Sequence, residues 1–437
     1  MLDHNLEEPC FLAPMRVLFV GTKRAVGAPR YNTVHVREVL RGLQTLGYQV
    51  SLIDGSWPCE PQTRPVSGKS SALRAAATAL LPRLARLLAG IVLDLCTMVM
   101  AILRVAIVRR PVDVVYGRHR LLPWEWAISR VIRVPAVKEV NGIVAVESAI
   151  HGASGPETGL LAWFERFSMP RADRFITVTP ELKDELVNRH RVDPEKVTVI
   201  GNGANTDLFR PMDRHVARNT LGLPDENSFV VFVGKLARWH SLEHLIGCAP
   251  AVLASRPDTR FLIVGDGPER ERLKSLTHDL GVTEYFRFVG SVPYETVPLY
   301  CAAAEVCVVC LSPEFYLPRG ASPLKLNEYL ACGRPVVATR APGFEFLEQV
   351  GAGVLVDPRD PEDLAQGLLR YLSDPVLAKN AGARGREHVV ANASWVRVSG
   401  RVAQVLADAV AARERSAPPG CSSYRHTGVP RSASHSA

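Results

Sequence analysis

The sequence lacks the features of a secreted, disulfide-stabilised protein. Its nine cysteines are an odd number and are scattered, mostly in apolar stretches, so they do not suggest a disulfide framework. The first fifteen residues hold three acidic residues before any basic one and no long apolar core, which is unlike a secretory signal. We therefore expect residues 1–14 to be a leader other than a signal peptide, and the protein to work in the cytoplasm.

Aromatic residues are absent from residues 64–110, and acidic residues are nearly so. This basic segment holds eight Lys or Arg against the single acid Asp94, a local charge of +7 in a chain with net charge +8. Without an aromatic side chain to stack on bases, the segment does not suit nucleic acid. Basic residues beside apolar ones are typical of surfaces that bind anionic membranes.

Within the basic segment, residues 87–103 are apolar except for Asp94. A membrane-spanning helix takes roughly 20 apolar residues, and a carboxylate in its middle makes spanning costlier. Three interpretations stay open: a buried helix pair of the N-terminal domain, a helix that dips into an anionic membrane face, and a true span. The second would make the protein peripheral at the inner face of the cytoplasmic membrane.

Cys307 and Cys310 have the spacing of a Cys-X-X-Cys pair and lie in the apolar run EVCVVCL. In a strand, residues three apart point to opposite faces. No second Cys or His pair with ligand spacing stands nearby in the sequence. We therefore predict core cysteines, with a redox or zinc pair as the alternative.

Short apolar runs alternate with helical stretches along most of the chain, which predicts α/β structure with parallel sheets covered by helices. Two doubly wound, Rossmann-like units, at residues 15–205 and 228–390, are predicted to face a cleft and to be joined by a polar linker at 206–227. Residues 391–415 are predicted as a closing helix and 416–437 as a disordered tail. Ligands of such sheets bind beyond the carboxyl ends of the strands, so the cleft is the expected site.

The stretch ASPLKLNEYLACGRPVVA, residues 321–338, reads as a helix with both ends specified, followed by a buried strand. Ser322 is a good N-cap, Pro323 suits the first helical position and Gly333 ends the helix. The free amides and the dipole of such a helix start attract an anion. This stretch resembles the signature region of the family 4 retaining glycosyltransferases, two-domain enzymes of the GT-B fold that use nucleotide sugars.

The resemblance implies roles for residues on this helix. In relatives, the glutamate equivalent to Glu328 hydrogen-bonds the donor ribose. The loop amides around Pro323, Leu324 and Lys325 face the donor phosphates, and Ser322 lies at the same helix start. A solvated ion pair between Lys325 and Glu328, three residues apart on one helix face, is the structural alternative.

Three positions depart from the family pattern. The stretch FVGKLARWHSLEHLI is similar to one in which relatives place an Arg and a Lys, five residues apart, on the donor diphosphate. Here these residues are Lys235 and His240, just after Gly234; a surface lysine and a helix-capping histidine are the alternative. Many relatives also carry a second glutamate, eight positions before the ribose-binding one, where this chain has Gly320. Glu314 is our candidate to reach the same place.

Two further stretches of the second unit resemble the family. FLIVGDGPERERL matches its strand, glycine turn and helix, which makes Gly265 and Asp266 candidate donor contacts. Close backbone approach at Gly265 and a helix cap at Asp266 are the structural alternatives. FVGSVPYETVPLY resembles the segment whose backbone edges the nucleotide base, and Val292 is the candidate there.

The first unit resembles the family more faintly. Gly27 and Arg30 lie where relatives let the backbone approach donor or acceptor, and Asn141 lies where many relatives have a histidine near the reacting sugar. His119 and Glu139 are further acceptor-side candidates, each with a structural role as the alternative.

No Asp-X-Asp motif occurs in the sequence. Glycosyltransferases of the other large fold commonly hold a divalent metal on such carboxylates, so the resemblance implies that cationic side chains and helix amides stabilise the leaving diphosphate without metal. We expect a retaining glycosyltransferase without cofactor that moves a sugar from a nucleotide diphosphate sugar to a lipid-linked or polysaccharide acceptor. Lys235, His240, Glu314 and Glu328 are its predicted catalytic residues.

Two other functions stay open. One is a nucleotide-sugar epimerase of the same fold, which would need no acceptor. The other is a catalytically inactive relative that acts as a binding protein.

Overall fold

The computed structural model describes residues 15–21, 31–53, 83–108, 111–150, 153–316 and 319–416. The predictions for the leader at 1–14, for Gly27 and Arg30, and for the tail beyond Ser416 lie outside these residues. So does the first part of the basic segment, 64–82.

The N-terminal lobe is built on a parallel sheet of six strands in the order β2-β1-β3-β4-β5-β6. The strands are β1 (Arg16–Val20), β2 (Gln49–Ile53), β3 (Val114–Arg118), β4 (Ala136–Val140), β5 (Arg174–Thr177) and β6 (Val197–Val199). The helices are α1 (Tyr31–Thr45), α2 (Arg83–Val108), α3 (Trp124–Ile132), α4 (Val144–Ile150), α5 (Gly155–Ser168) and α6 (Pro180–Asn188).

The C-terminal lobe has a second parallel sheet of six strands, in the order β12-β11-β10-β7-β8-β9. Its strands are β7 (Ser228–Val233), β8 (Thr259–Val264), β9 (Phe286–Gly290), β10 (Val306–Val309), β11 (Val336–Thr339) and β12 (Gly353–Val356). Its helices are α7 (Arg214–Leu221), α8 (Leu242–Ser255), α9 (Arg270–Asp279), α10 (Val297–Ala303), α11 (Pro313–Tyr316), α12 (Leu324–Ala331), α13 (Phe346–Gln349), α14 (Pro361–Ser373) and α15 (Pro375–Asn392). The long helix α16 (Trp395–Arg415) follows.

The strand order of the second sheet reverses between β7 and β10, which makes it a doubly wound sheet with its switch point there. Helices cover both faces, so central strands such as β10 are apolar at every position and fully buried. Cys307 and Cys310 belong to the hydrophobic clusters on opposite faces of this sheet. The prediction of core cysteines is confirmed, and so is the prediction of two Rossmann-like lobes.

The predicted linker at 206–227 is not only a loop, because it contains helix α7. Asp213 caps this helix through a hydrogen bond to the amide of Val216, and Gly222 ends it in the left-handed conformation (φ +61°). After α15, the chain returns to the N-terminal lobe, where α16 packs against α1 and β3 through residues such as Trp395 and Leu406.

Helix α2 is longer than the predicted apolar run and is mostly exposed. Ala101 packs into the N-terminal lobe, and Asp94 accepts hydrogen bonds from Arg120 (3.2 Å) and from the indole of Trp124 (3.3 Å). The opposite face leaves large apolar side chains in solvent: Leu88, Val92, Leu93, Leu95, Val99, Met100, Leu103, Ile107 and Val108. The buried-helix interpretation is therefore wrong. Among the described residues, one helical stretch, Leu87–Val108, is long and apolar enough to cross a membrane.

Candidate active site

The centre of the C-terminal lobe's site is the switch point between β7 and β10. Immediately after β7 the chain turns at Gly234 (φ +152°), and after β8 it turns at Gly265 (φ +129°). A Cβ on Gly265 would overlap the carbonyl of Gly234, so the two turns pack backbone against backbone. Glycine is thus required at position 265 because the backbone of Gly234 lies against it. Asp266 is half-exposed and accepts a hydrogen bond from the amide of Gly267 (2.8 Å), so it closes its own turn instead of capping α9.

Helix α12 begins at Leu324, with Pro323 as its N-cap, one residue later than predicted. Ser322 does not cap the helix. Its Oγ accepts a hydrogen bond from the backbone N–H of Asn202 at 2.9 Å, and its carbonyl accepts one from the Asn202 side-chain amide. The hydroxyl is used by the N-terminal lobe, which the local pattern did not reveal. Gly333 (φ +70°) follows the helix end as predicted.

The side chain of Lys325 points back from α12 to the Gly234 turn. It is 1% exposed, its Nζ lies 4.0 Å from the centroid of the Phe232 ring and 3.3 Å from Nε2 of His240. A Cβ on Gly234 would overlap this ammonium. Burial lowers the pKa of Lys325 to about 7, and none of the described residues forms an ion pair with it. A buried ammonium without a counter-charge is costly unless an anion joins it.

His240 and Lys235 differ in their surroundings. Burial, and then the neighbouring Lys325, lower the pKa of His240 well below its usual range, so it is neutral and cannot supply the expected positive charge. Lys235 is exposed, with Nζ 5.2 Å from the centroid of the Trp239 ring. Lys325, rather than His240, therefore accompanies Lys235 as a cation near the turn.

Glu328 is also buried, at 5% exposure. Tyr294 donates a hydrogen bond to its Oε1 at 2.7 Å, and burial raises the pKa of Glu328 to about 7. The solvated ion pair with Lys325 is wrong, because both side chains are buried and the described residues form no such pair. Tyr294 was missed, although it lies in the FVGSVPYETVPLY stretch. Val292 in that stretch is half-buried against the hydrophobic core.

Gly320 (φ +66°) packs against the start of α6 in the N-terminal lobe. A Cβ at this position would overlap Oε2 of Glu181 and lie 3.0 Å from Cβ of Thr179. Oε2 of Glu181 is buried and has no hydrogen-bond partner among the described residues. Glu314 accepts a hydrogen bond from the Ser312 hydroxyl and lines an open cavity of about 650 Å³. The carboxylate nearest Gly320 is therefore that of Glu181.

The acceptor-side candidates lie at the carboxyl ends of β3 and β4. Nε2 of His119 is 3.0 Å from Oε1 of Glu165, and both side chains are almost fully buried. Glu165 also accepts the amides of Val144 and Ala145 at the start of α4, so His119 belongs to a structural pair. Asn141 is half-buried just after β4, and its Oδ1 has no hydrogen-bond partner among the described residues.

The two lobes meet beside these groups. The Thr179 hydroxyl donates to the carbonyl of Arg319 at 2.7 Å, and the Asn327 side chain donates to the carbonyl of Asn202 at 2.7 Å. The carboxyl ends of both sheets therefore border one cleft, with buried positive charge on the C-terminal side. Such an arrangement can bind an anionic group between the lobes.

Comparisons with known proteins decide the family. The model described as Glycosyltransferase Family 4 matches residues 33–208, and the model described as Glycosyl transferases group 1 matches residues 227–374. Together they span most of the chain. It belongs to the family 4 glycosyltransferases.

Relatives and solved structures agree with this membership. D-inositol 3-phosphate glycosyltransferase from Thermobispora bispora is 28% identical over 345 residues, which cover 76% of this chain and 79% of the relative. Sucrose-phosphate synthase from Thermosynechococcus elongatus has TM-score 0.68 and 23% identity over 91% of this chain and all of the other. HepE from Anabaena, solved in complex with UDP-glucose, has TM-score 0.62 and 18% identity, and the match covers 90% of this chain and 100% of HepE. This glycosyltransferase therefore has the GT-B fold.

Proposed function

We propose that this family 4 glycosyltransferase transfers a sugar, with retention of anomeric configuration, from a nucleotide diphosphate sugar. The donor binds mainly on residues 229–340, and residues 15–205 hold the acceptor. The observation that carries the proposal is Lys325, a buried ammonium with no ion-pair partner among the described residues, beside the Gly234 turn. A diphosphate would supply the missing negative charge.

The position of Lys325 compensates for the departure from the family pattern at His240. His240 cannot provide a charge, and Lys325 places one 3.3 Å from its ring instead. Exposed Lys235 can approach the diphosphate from the solvent side. The backbone amides of Leu324 and Lys325, which begin α12 and have no hydrogen-bond partner among the described residues, add further donors.

Glu328 fits the ribose. The carboxylate, held by Tyr294, can accept hydrogen bonds from two neighbouring hydroxyls, and a ligand that replaces the tyrosine contact would restore its solvation. The structural neighbour HepE, solved with UDP-glucose, makes that compound the first donor to test.

The leaving diphosphate departs toward Lys325, Lys235 and the start of α12, and the acceptor hydroxyl attacks from the same face. We assign no enzyme nucleophile and no metal. Retention is tested by NMR of the product's anomeric proton, with inversion as the contrary result. Metal independence is tested by activity in excess EDTA, and loss of activity that Mg²⁺ or Mn²⁺ restores would contradict it.

We propose a lipid-linked or polysaccharide acceptor at the cytoplasmic face of a membrane. The support is α2, which is tied to the N-terminal lobe by Asp94 and presents its apolar face outward. A helix lying in the membrane interface has this arrangement, with arginines at its ends. The name of the Thermobispora bispora relative supports a second candidate, a small phosphorylated polyol.

The donor is tested by thermal shift against UDP, UDP-glucose, and the ADP and GDP sugars. A donor at 100 times its Kd stabilises by about 2.7 kcal/mol, which is easily seen. The Lys325→Met variant should lose this shift, whereas Lys379→Met, on an exposed face of α15, should keep it. If no nucleotide sugar stabilised the wild-type protein, the proposal would fail.

Membrane binding is tested by flotation with phosphatidylglycerol-containing liposomes. Replacing exposed Val92, Val99 and Leu103 of α2 by serine should weaken binding about tenfold or more, because each buries apolar area in the interface. The matched control replaces the exposed valines Val216, Val376 and Val396 elsewhere. Equal flotation of the two triple variants would remove the argument.

A further inference from the structure

A chain of polar contacts joins the carboxyl end of β4 to the start of α12. Oε1 of Glu139 lies 2.6 Å from Nε2 of His35, and Nδ1 of His35 lies 2.6 Å from Oδ1 of Asn202. Asn202 binds Ser322 through its backbone N–H and its side-chain amide, and its carbonyl accepts from Asn327 at 2.7 Å. Asn202 thus joins the two lobes, and His35 supports it from within the N-terminal lobe, although none of the proposed donor contacts requires this histidine.

The direction of the Asn202 amide is fixed by its neighbours. The carbonyl of Ser322 can only accept a hydrogen bond, so the NH₂ group of Asn202 must face it. Oδ1 of Asn202 then faces His35 as an acceptor. Nδ1 of His35 must therefore carry a proton.

The other side of the ring meets a charged acceptor. Oε1 of Glu139 lies 2.6 Å from Nε2 of His35, and the Glu139 side chain is 2% exposed. Burial alone would raise the pKa of Glu139, but His35, Arg118 and the Tyr116 hydroxyl lower it to about 2. The ring of His35 therefore lies between a carboxylate on one side and the Asn202 amide on the other.

The surroundings of His35 hold it in this place. The ring is nearly buried and meets the edge of Trp395 from α16 with centroids 5.2 Å apart. From β3, Arg118 and Tyr116 reach only the Glu139 carboxylate, with Nε of Arg118 at 3.9 Å.

We infer that His35 is a positioning residue: its ring, set against Glu139, hydrogen-bonds Asn202 through Nδ1 and thereby holds Asn202 against the first turn of α12. This inference rests on the proposed function, because its consequence is the placement of the helix start that faces the donor diphosphate. His35 itself is not among the proposed donor contacts.

The test uses inorganic pyrophosphate as the probe and calorimetry as the readout. Ser322→Ala should weaken pyrophosphate binding about fivefold in the wild-type background, within the usual range for residues in one hydrogen-bond network. In the His35→Leu background, Asn202 has already lost its contact with His35. The Ser322→Ala change should there weaken pyrophosphate binding less than twofold. His35 and Ser322 share no contact in the structure, so a merely structural role for His35 would leave the two effects independent.

The matched control is His190→Leu, a second nearly buried histidine of the N-terminal lobe, which should leave the Ser322→Ala effect at its full size. Independent effects of His35→Leu and Ser322→Ala would overturn the inference. If Lys325→Met left pyrophosphate affinity unchanged, the proposed function would fail instead, so the two failures are distinguishable.

Discussion

The two lobes bury charge in opposite ways. In the N-terminal lobe, Lys138 lies 3.2 Å from Glu125, and His35 and His119 each face a carboxylate. In the C-terminal site, Lys325 and Glu328 are equally buried, but neither has an ion-pair partner among the described residues. A buried charge with a partner does not destabilise the fold as an unpaired one does, whereas an unpaired charge is tolerated where a ligand completes it. The contrast supports the proposed binding of the donor on the C-terminal side of the cleft.

The largest expected effect comes from breaking a pair in the N-terminal lobe. Glu125→Ala would leave the Lys138 ammonium buried without a counter-charge and should lower the free energy of unfolding by about 3–5 kcal/mol. Denaturant unfolding measures this. The double variant Glu125→Leu/Lys138→Met should recover most of the loss, and a double variant as unstable as the single one would contradict the comparison.

Removing the unpaired charge of Lys325 should lower activity without lowering stability. Lys325→Met should lower kcat/KM about a hundredfold to a thousandfold, because a preorganised cation facing the diphosphate contributes about 3–4 kcal/mol. Its free energy of unfolding without ligand should stay the same or rise. Steady-state kinetics and denaturant unfolding are measured on the same preparation. Lower stability with full activity would show that Lys325 is structural.

The two buried groups also predict a pH profile of stability. The folded-state pKa of Glu328 is raised from 4.5 to about 7, so the native state binds more protons than the unfolded state between these values. The free energy of unfolding therefore falls as pH rises from about 4.5 to 7, by roughly 3 kcal/mol. Glu328→Gln should remove this fall, measured by denaturant unfolding at several pH values. An unchanged slope would contradict the burial argument.

Lys325 should change the free energy of unfolding with pH in the opposite direction. Its folded-state pKa is lowered from 10.5 to about 7, so the native state binds fewer protons above pH 7 and stability should rise there. Pyrophosphate affinity should fall over the same range, because the ammonium loses its proton. Calorimetry between pH 6 and 8.5 checks this, and affinity that did not depend on pH would exclude Lys325 as the cation.

The smallest expected effect concerns the seam between the lobes. Gly320→Ala would place a Cβ on the Glu181 carboxylate, at a φ of +66°. Gly281→Ala is the matched control, because its φ is +67° and open space surrounds it. Gly320→Ala should cost about 1–3 kcal/mol more than the control in unfolding experiments. Equal losses of unfolding free energy in the two variants would show that the contact between Gly320 and Glu181 rearranges without strain.

The sequence predicted the alternation of strands and helices, the two sheets and the glycine that ends α12, because apolar periodicity and glycine conformation are local properties. It also singled out Lys325 and Glu328. It missed α7, although Asp213 and Gly222 are ordinary cap signals, and it missed the short strand β12.

The errors at the site have one cause. Ser322 looked like a cap, but Asn202 from the other lobe uses its hydroxyl. Glu314 was expected near Gly320, yet Glu181 is there. In each case the partner lies more than a hundred residues away in the chain, and no local pattern encodes it.

Hydrophobic patterning and short motifs are enough to specify the two α/β lobes, their order and the residue types available to hold a diphosphate. Which cations are charged and which carboxylates are paired follows from contacts that form when the chain folds. Protonation depends on burial and on neighbours brought together by folding, so the neutral His240, the unpaired Lys325 and the bridging His35 emerge only when the two lobes are in place.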